Sequence, residues 1–239
     1  MLISPSLFAA DAANLGAAAV AAERAGADRL HIDVMDGSFV PNFSFGPNIV
    51  EAVRSLTTLP LEVHLMINRP ESHVGAFIAA GADQVTVHVE ATNEIDRITR
   101  QCRASHVELG LAISPTTPLI RIEPWVRSLD WLLIMTIHPG LGGQTFIREC
   151  VDRVSSARKR RVGVGAHYRV SVDGGINPAT ARLCQDAGAD LVVAGAYLFS
   201  APSMTDALAE IRAATPWEAL APSHLDRSDS KMVDPSEIR

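Results

Sequence analysis

A chain of 239 residues, 47% apolar but only 5% aromatic, favours a single α/β domain whose buried parallel strands are aliphatic runs. Its net charge of −6, with no basic run longer than Arg158-Lys159-Arg160-Arg161, excludes an obvious nucleic-acid surface, since that run suits a helix C-terminus. Three scattered cysteines (Cys102, Cys150, Cys184) argue against a disulfide framework and for a reducing, cytoplasmic setting; with no basic leader and no stretch near the roughly 18 apolar residues of a membrane span, neither signal peptide nor membrane is expected.

In chain order, Ile3 to Phe8 reads as a first strand, and Asp11 caps an Ala-rich helix running to about Ala25. Arg29-Leu30-His31-Ile32-Asp33-Val34-Met35-Asp36-Gly37 begins as a second strand and ends in a turn. A helix over about Pro47 to Ser55 precedes a third strand, Leu61 to Met66, and a helix over Pro70 to Ala80 precedes a fourth, Gln84 to Glu90. A helix over about Glu94 to Ala104, a fifth strand at Glu108 to Ser114 and a shorter helix around Leu119 to Trp125 follow. The sixth strand, Trp131 to Ile137, is followed by a helix over Ile147 to Arg160; the seventh, Arg169 to Asp173, by one over Pro178 to Ala187; the eighth, Leu191 to Gly195, by one over Met204 to Ala213.

The tetrapeptide Ala-Gly-Ala-Asp recurs at 25–28, 80–83 and 187–190, each time between a helix and a strand, which marks a repeated unit. Eight strands, each followed by a helix, predict a (β/α)8 TIM barrel over residues 1–214. A doubly wound open sheet is the competing architecture, and the missing G-x-G-x-x-G after the first strand counts against it. Residues 215–239, polar and interrupted by Pro216, Pro222 and Pro235, form a tail outside the barrel.

Active sites of such barrels sit at the C-terminal strand ends. Those ends carry Ser6, His31 and Asp33, His64, His88, His138, Asp173, and Gly195-Ala196. His31 and Asp33 share one face of their strand because side chains alternate. Together His31, Asp33, His64 and Asp173 offer two nitrogens and two carboxylates, a donor set that suits one Zn, Fe, Mn or Co ion; the two carboxylates also suit a proton acceptor and donor pair. Glycine-rich stretches at Pro139 to Gln144, Asp173 to Gly175 and Gly195-Ala196 let backbone N–H groups face an anion, and favour a phosphate-bearing substrate. Met35, Met66 and Met135 also lie near strand ends, as core filler or as a water-excluding wall.

These residues resemble the ribulose-phosphate 3-epimerase family over about residues 2 to 213. The resemblance rests on Ser4-Pro5-Ser6, His31 to Gly37, Phe39-Val40-Pro41-Asn42, His64-Leu65-Met66, Pro139 to Phe146 and Val172-Asp173-Gly174-Gly175-Ile176. It implies a phosphate-binding (β/α)8 barrel and a metal-dependent isomerase of the pentose phosphate pathway that inverts C3 between D-ribulose 5-phosphate and D-xylulose 5-phosphate through a 2,3-enediolate. It further implies that Asp33 and Asp173 exchange the proton on opposite faces, and that His31, Asp33, His64 and Asp173 hold one divalent ion per subunit. Ser6 and His64 would touch the substrate; Gly140, Leu141, Gly142, Gly143, Gly174, Gly175, Gly195 and Ala196 would line its phosphate end. A small sugar phosphate and further copies of the same chain, in a homo-oligomer, are the expected partners.

The chain departs from the family's usual pattern at His88-Val89, at Ile137-His138-Pro139, at Leu141 in place of Phe and at Ala196 in place of Ser. None of these is one of the four ligand positions. An allulose-6-phosphate 3-epimerase is therefore the alternative within the class. Barrels that resemble the decarboxylase and hexulose-phosphate synthase families carry D-x-K-x-x-D, and Asp33-Val34-Met35-Asp36 lacks that Lys. A non-catalytic sugar-phosphate-binding protein would need neither Asp33 nor Asp173, and metal-assisted hydrolysis fits two opposed carboxylates less well than inversion does.

Overall fold

A computed structural model describes residues 1–213; the expected tail at 215–239 lies outside the described residues. The aliphatic segments form eight strands: β1 (Leu2–Pro5), β2 (Leu30–Met35), β3 (Leu61–Met66), β4 (Gln84–His88), β5 (Glu108–Ile113), β6 (Trp131–Met135), β7 (Arg169–Asp173) and β8 (Leu191–Ala194). All pair in parallel, in the order β1-β8-β7-β6-β5-β4-β3-β2. A single parallel bridge between Ser6 and His31 joins the two ends into a barrel. The helices are α1 (Leu15–Arg24), α2 (Pro47–Arg54), α3 (Val74–Ala79), α4 (Ile95–Ala104), α5 (Cys150–Gly163), α6 (Pro178–Ala187), α7 (Ala196–Phe199) and α8 (Met204–Arg212).

Alternation on each strand sorts the residues into two environments. Leu30, Ile32 and Val34 of β2, Leu61, Val63 and Leu65 of β3, and Val170 and Val172 of β7 face outward and belong to the main apolar core with helix residues such as Val50, Val53, Ile95 and Ile98. The inward positions are largely polar, among them Ser4, His31, Glu62, His64, Gln84, Thr86 and Ser171, all buried. Gly110 belongs to this interior, where a Cβ would meet Thr86 Oγ1 at 2.2 Å.

Several element boundaries differ from expectation for local reasons. β1 ends at Pro5, and Leu7–Ala9 turns as a 3-10 helix instead of extending the strand to Phe8. Asp11 accepts the Ala13 N–H at 3.0 Å, but the turn it caps (Ala12–Asn14) is 3-10, and α1 follows it. After β5 the helix Leu119–Trp125 is 3-10 rather than α, consistent with Pro124 inside it lacking the N–H of an α-helical bond. The sixth strand stops at Met135, the eighth at Ala194 and the fourth at His88, while the helix expected from Ile147 begins at Cys150. Arg160 and Arg161 of the basic run occupy the last turn of α5.

The Ala-Gly-Ala-Asp connectors share one geometry. Gly26, Gly81 and Gly188 have φ of 91°, 100° and 102°, the left-handed conformation that ends a helix. The following Asp N–H donates to the neighbouring strand, and its carboxylate takes back an N–H. Asp28 pairs in this way with Ile3, Asp83 with Leu61 and Asp190 with Val170, each carboxylate contact being 2.8 Å. An arginine completes each clamp: Arg212 at 2.9 Å from Asp28, Arg54 at 2.9 Å from Asp83, Arg161 at 2.6 Å from Asp190. Asp130 repeats the arrangement with the Leu109 N–H at 2.8 Å and Arg103 at 3.0 Å.

Candidate active site

The inward alternation of β2 carries His31 and Asp33 to the C-terminal mouth, and register places His64 of β3 directly beside Asp33. Asp173 ends β7, three strands away through β8 and β1. His31 Nε2 and His64 Nδ1 each lie 3.1 Å from Asp33 Oδ1, and 3.9 Å and 4.0 Å from Asp173 Oδ2. One ligand-type atom from each of the four residues lies within 4.8 Å of all the others. Four donors at about 2.1 Å around a tetrahedral ion stand about 3.4 Å apart, so this donor set fits a divalent cation in both chemistry and spacing.

The loops that hold these groups are tightly tied. Ser44 Oγ donates to the Asp33 carbonyl at 2.6 Å and accepts the Met35 N–H at 2.9 Å, finishing β2. Asp36 accepts the Ser38 and Phe39 N–H groups on one oxygen and the Asn68 N–H on the other, all at 2.8 Å, so one carboxylate ties the loops after β2 and β3 together. Thr136 Oγ1 donates to the Asp173 and Gly174 carbonyls at 2.9 Å and 2.6 Å and so holds the end of β7. Ser6 Oγ donates to Asp33 Oδ2 at 2.6 Å.

Electrostatics separate the two carboxyls. Burial opposes ionisation of Asp33, but the imidazoles of His31 and His64 outweigh it and hold this carboxyl well below its ordinary range. Asp173 is raised to about 7, first by burial and then by the negative charge of Asp33. Burial also works against charge on His31, yet Asp33 and Glu62 raise it well above the usual imidazole value.

A cavity of about 400 Å³ opens over this cluster, within the size range of small-ligand sites. Ser6, Asp33 and Asp173 line its floor, and Gly140, Leu141, Gly142, Gly143, Gly195 and Ala196 line one side. Met35, Met66 and Met135 also line it, which makes them an apolar wall as well as core. Gly174 and Gly175 do not line the cavity. They sit in left-handed conformations, φ 122° and 64°, where a Cβ would strike Ile137 and the Phe146 backbone, so they serve the close packing of the loops after β6 and β7. His64 lies beneath the floor, fully buried, and reaches the site through its ring nitrogen.

Other strand-end histidines part company. His138 is exposed, and its carbonyl accepts from the Gln144 side chain at 2.7 Å. His88 is fully buried, 2.9 Å from His64 Nε2, and burial lowers its tendency to protonate. Sequence reading missed Glu62 as a site residue: register pairs it with His31, and its Oε2 lies 3.1 Å from His31 Nδ1. It also missed Phe8, Phe199 and Ser200 at the cavity rim. A glutamate one step before a strand-end His-x-Met carries no motif, and only the strand register reveals it.

The fold and the cluster at its mouth define a (β/α)8 barrel whose His/Asp group could hold a metal ion. A family model, the ribulose-phosphate 3 epimerase family, matches residues 2–199. The chain is 43% identical over 211 residues to the ribulose-phosphate 3-epimerase of Bacillus subtilis, covering 88% of this chain and 97% of that one. It is also 43% identical over 215 residues to the chloroplastic ribulose-5-phosphate-3-epimerase of Arabidopsis thaliana, covering 89% of this chain and 76% of the relative. Among solved structures, the KGPDC of Streptococcus mutans in complex with D-R5P shares the fold at a TM-score of 0.69 with 18% identity, over 89% of this chain and 97% of that one. A 3-hexulose-6-phosphate synthase does so at 0.65 with 20% identity, over 90% and 99%. The chain belongs to the ribulose-phosphate 3 epimerase family, and it is an epimerase, an isomerase by reaction class. No helix among the described residues is long and apolar enough to cross a membrane.

Proposed function

We propose that this epimerase interconverts D-ribulose 5-phosphate and D-xylulose 5-phosphate by moving the proton at C3 between Asp33 and Asp173. The observation that carries the reading is the convergence of His31, Asp33, His64 and Asp173 with their two carboxyls pushed in opposite directions. In the metal-free chain one carboxyl is held ionised and the other is raised by burial and its neighbour's charge, an unlike pair suited to base and acid roles. Asp33 takes the C3 proton from one face and leaves a 2,3-enediolate; Asp173 gives a proton to the other face, and the reverse reaction exchanges the roles. Ser6 Oγ, bonded to Asp33 Oδ2, aims the base. The methionine wall keeps water from quenching the enediolate. Backbone N–H groups of Gly140 to Gly143 and Gly195-Ala196 line the end that takes the phosphate. We read the four-residue cage as holding one Zn, Fe, Mn or Co ion, which when bound supplies positive charge to offset the negative oxygens of the enediolate.

A six-carbon sugar phosphate is the second reading, favoured by the exposed Leu141 and by Ala196, which adds no hydroxyl to the cavity lining. The test is kcat/KM for ribulose 5-phosphate against allulose 6-phosphate on one preparation, with deuterium uptake at C3 followed in heavy water. Turnover of the pentose with C3 exchange is the expected result. Preference for the hexose selects the second reading, and binding without exchange on either sugar defeats both. A cytoplasmic protein in a homo-oligomer completes the proposal. Three buried free cysteines support the compartment, and light scattering tests the assembly.

A further inference from the structure

Both imidazoles of the cage are held from behind, and the two are held differently. His31 turns Nε2 toward Asp33 and Asp173, while its Nδ1 lies 3.1 Å from the buried carboxylate of Glu62. His64 turns Nδ1 toward the same two carboxylates, and its Nε2 meets no carboxylate among the described residues. It lies 2.9 Å from Nε2 of His88, whose Nδ1 lies 3.1 Å from Glu90 Oε2. Glu90 Oε1 in turn accepts the Ser114 N–H at 2.9 Å, which ties the chain of contacts to the loop after β5.

Two imidazole nitrogens at hydrogen-bond distance need one proton between them. For His64 to offer a lone pair at Nδ1, its own proton must sit on Nε2 and point at His88. His88 then accepts at Nε2 and carries its proton on Nδ1, aimed at Glu90. Each link fixes the next, and the line ends on a carboxylate anchored to backbone. The register explains the need for a relay. β3 pairs Glu62 with Gln84 and His64 with Thr86, so the inward residue above Thr86 on β4 is a histidine, and it is this imidazole that faces His64 Nε2.

We propose that His88 and Glu90 are positioning residues that lock the ring and tautomer of His64, so that its Nδ1 is presented to the metal cage. The proposal rests on the metal reading above. A carboxylate that ends such a relay also makes the ligating imidazole more basic, and outer partners of this kind typically govern metal affinity by about 10- to 100-fold.

The test uses the full chain stripped of metal and reloaded with Co²⁺, read by chelator competition and by the visible ligand-field spectrum. Wild type binds about one ion per chain, whereas Glu90→Gln and His88→Leu bind about 10- to 100-fold more weakly with a shifted spectrum. His88→Gln, whose amide oxygen can accept from His64 Nε2–H, recovers most of the affinity. Circular dichroism of the metal-free variants reports folding; if His88→Leu fails to fold, Glu90→Gln decides, because it keeps an acceptor for the Ser114 N–H. Wild-type affinity and spectrum in Glu90→Gln and His88→Leu overturn the relay while leaving the cage standing. Failure of the wild type itself to take up cobalt overturns the cage and the relay together.

Discussion

Aspartates guard both ends of this barrel, and they are used in opposite ways. At the base, Asp28, Asp83, Asp130 and Asp190 each accept a strand N–H and face an arginine, so each of these charges has a counter-charge and the starts of β1, β3, β5 and β7 each have a partner. At the mouth, Asp33 and Asp173 crowd together over two histidines, with Glu62 close below and no arginine or lysine among the groups that shift their ionisation. One rim is arranged so that ionisation supports the fold. The other holds a like-charged pair that the fold tolerates, and such a pair keeps one proton at neutral pH. The same side chain is thus a strand clamp where a guanidinium and an N–H converge on it, and the acid–base group of our proposal where burial and a second carboxylate do.

This contrast predicts which substitutions damage which property. Asp173→Asn has the largest expected effect: deuterium exchange at C3 falls by about 10²–10⁴-fold, while the variant still binds metal and stays folded. Normal exchange would remove Asp173 from the proton path and erase the distinction between the two rims. Next comes Asp190→Ala at the base. It leaves the Val170 N–H and Arg161 without their carboxylate, which costs about 2–3 kcal/mol. For a domain of this size that lowers Tm by about 4–12 °C, with kcat/KM unchanged below the transition. A drop in kcat/KM without a drop in Tm would mean that the base reaches the site. Ser6→Ala removes the hydroxyl at 2.6 Å from Asp33. We expect a loss of about tenfold in kcat, the rate equivalent of one neutral-to-charged hydrogen bond, with Tm nearly unchanged because the backbone bridge to His31 remains.

Much of this was legible in the residues, and the parts that were not share a cause. Alternation along a strand put His31 and Asp33 on one face, and the barrel pattern put His64 and Asp173 at the same mouth, so the cage followed from period and topology alone. Three of the four base clamps were visible as a repeated tetrapeptide, but their purpose was not, because the arginines arrive from α2, α5 and α8. The fourth, Asp130, was hidden: its connector reads Ser128-Leu129-Asp130 and has no glycine. Glu62 and the step from His64 to His88 depend on which residue of one strand faces which of the next, and composition carries no trace of that register. Gly174 and Gly175, expected at the phosphate end, also pack against Ile137 and Phe146 where a Cβ would not fit. A glycine required by close packing looks the same in a sequence as one required by an anion.

The prediction most specific to the mouth concerns stability as a function of pH in metal-free protein. Asp173 moves from an ordinary value of 3.8 to about 7 on folding. Between those values the folded chain keeps a proton that the unfolded chain has released, so this group's contribution to stability falls as pH rises through the window. Asn at 173 keeps the shape and cannot ionise. Metal-free Asp173→Asn should therefore match the wild type near pH 4 and become progressively more stable than it up to about pH 7, by a few kcal/mol, with a constant difference beyond. Denaturant titrations at pH 4, 5.5, 7 and 8 measure this directly. A base aspartate treated alike gives no such gain, because Asp190→Asn removes a negative charge that faces the Arg161 guanidinium, where Asp173→Asn removes one that faces Asp33. Equal pH dependence in wild type and Asp173→Asn would mean that the mouth carries no like-charge strain, and the two rims would then differ in position alone.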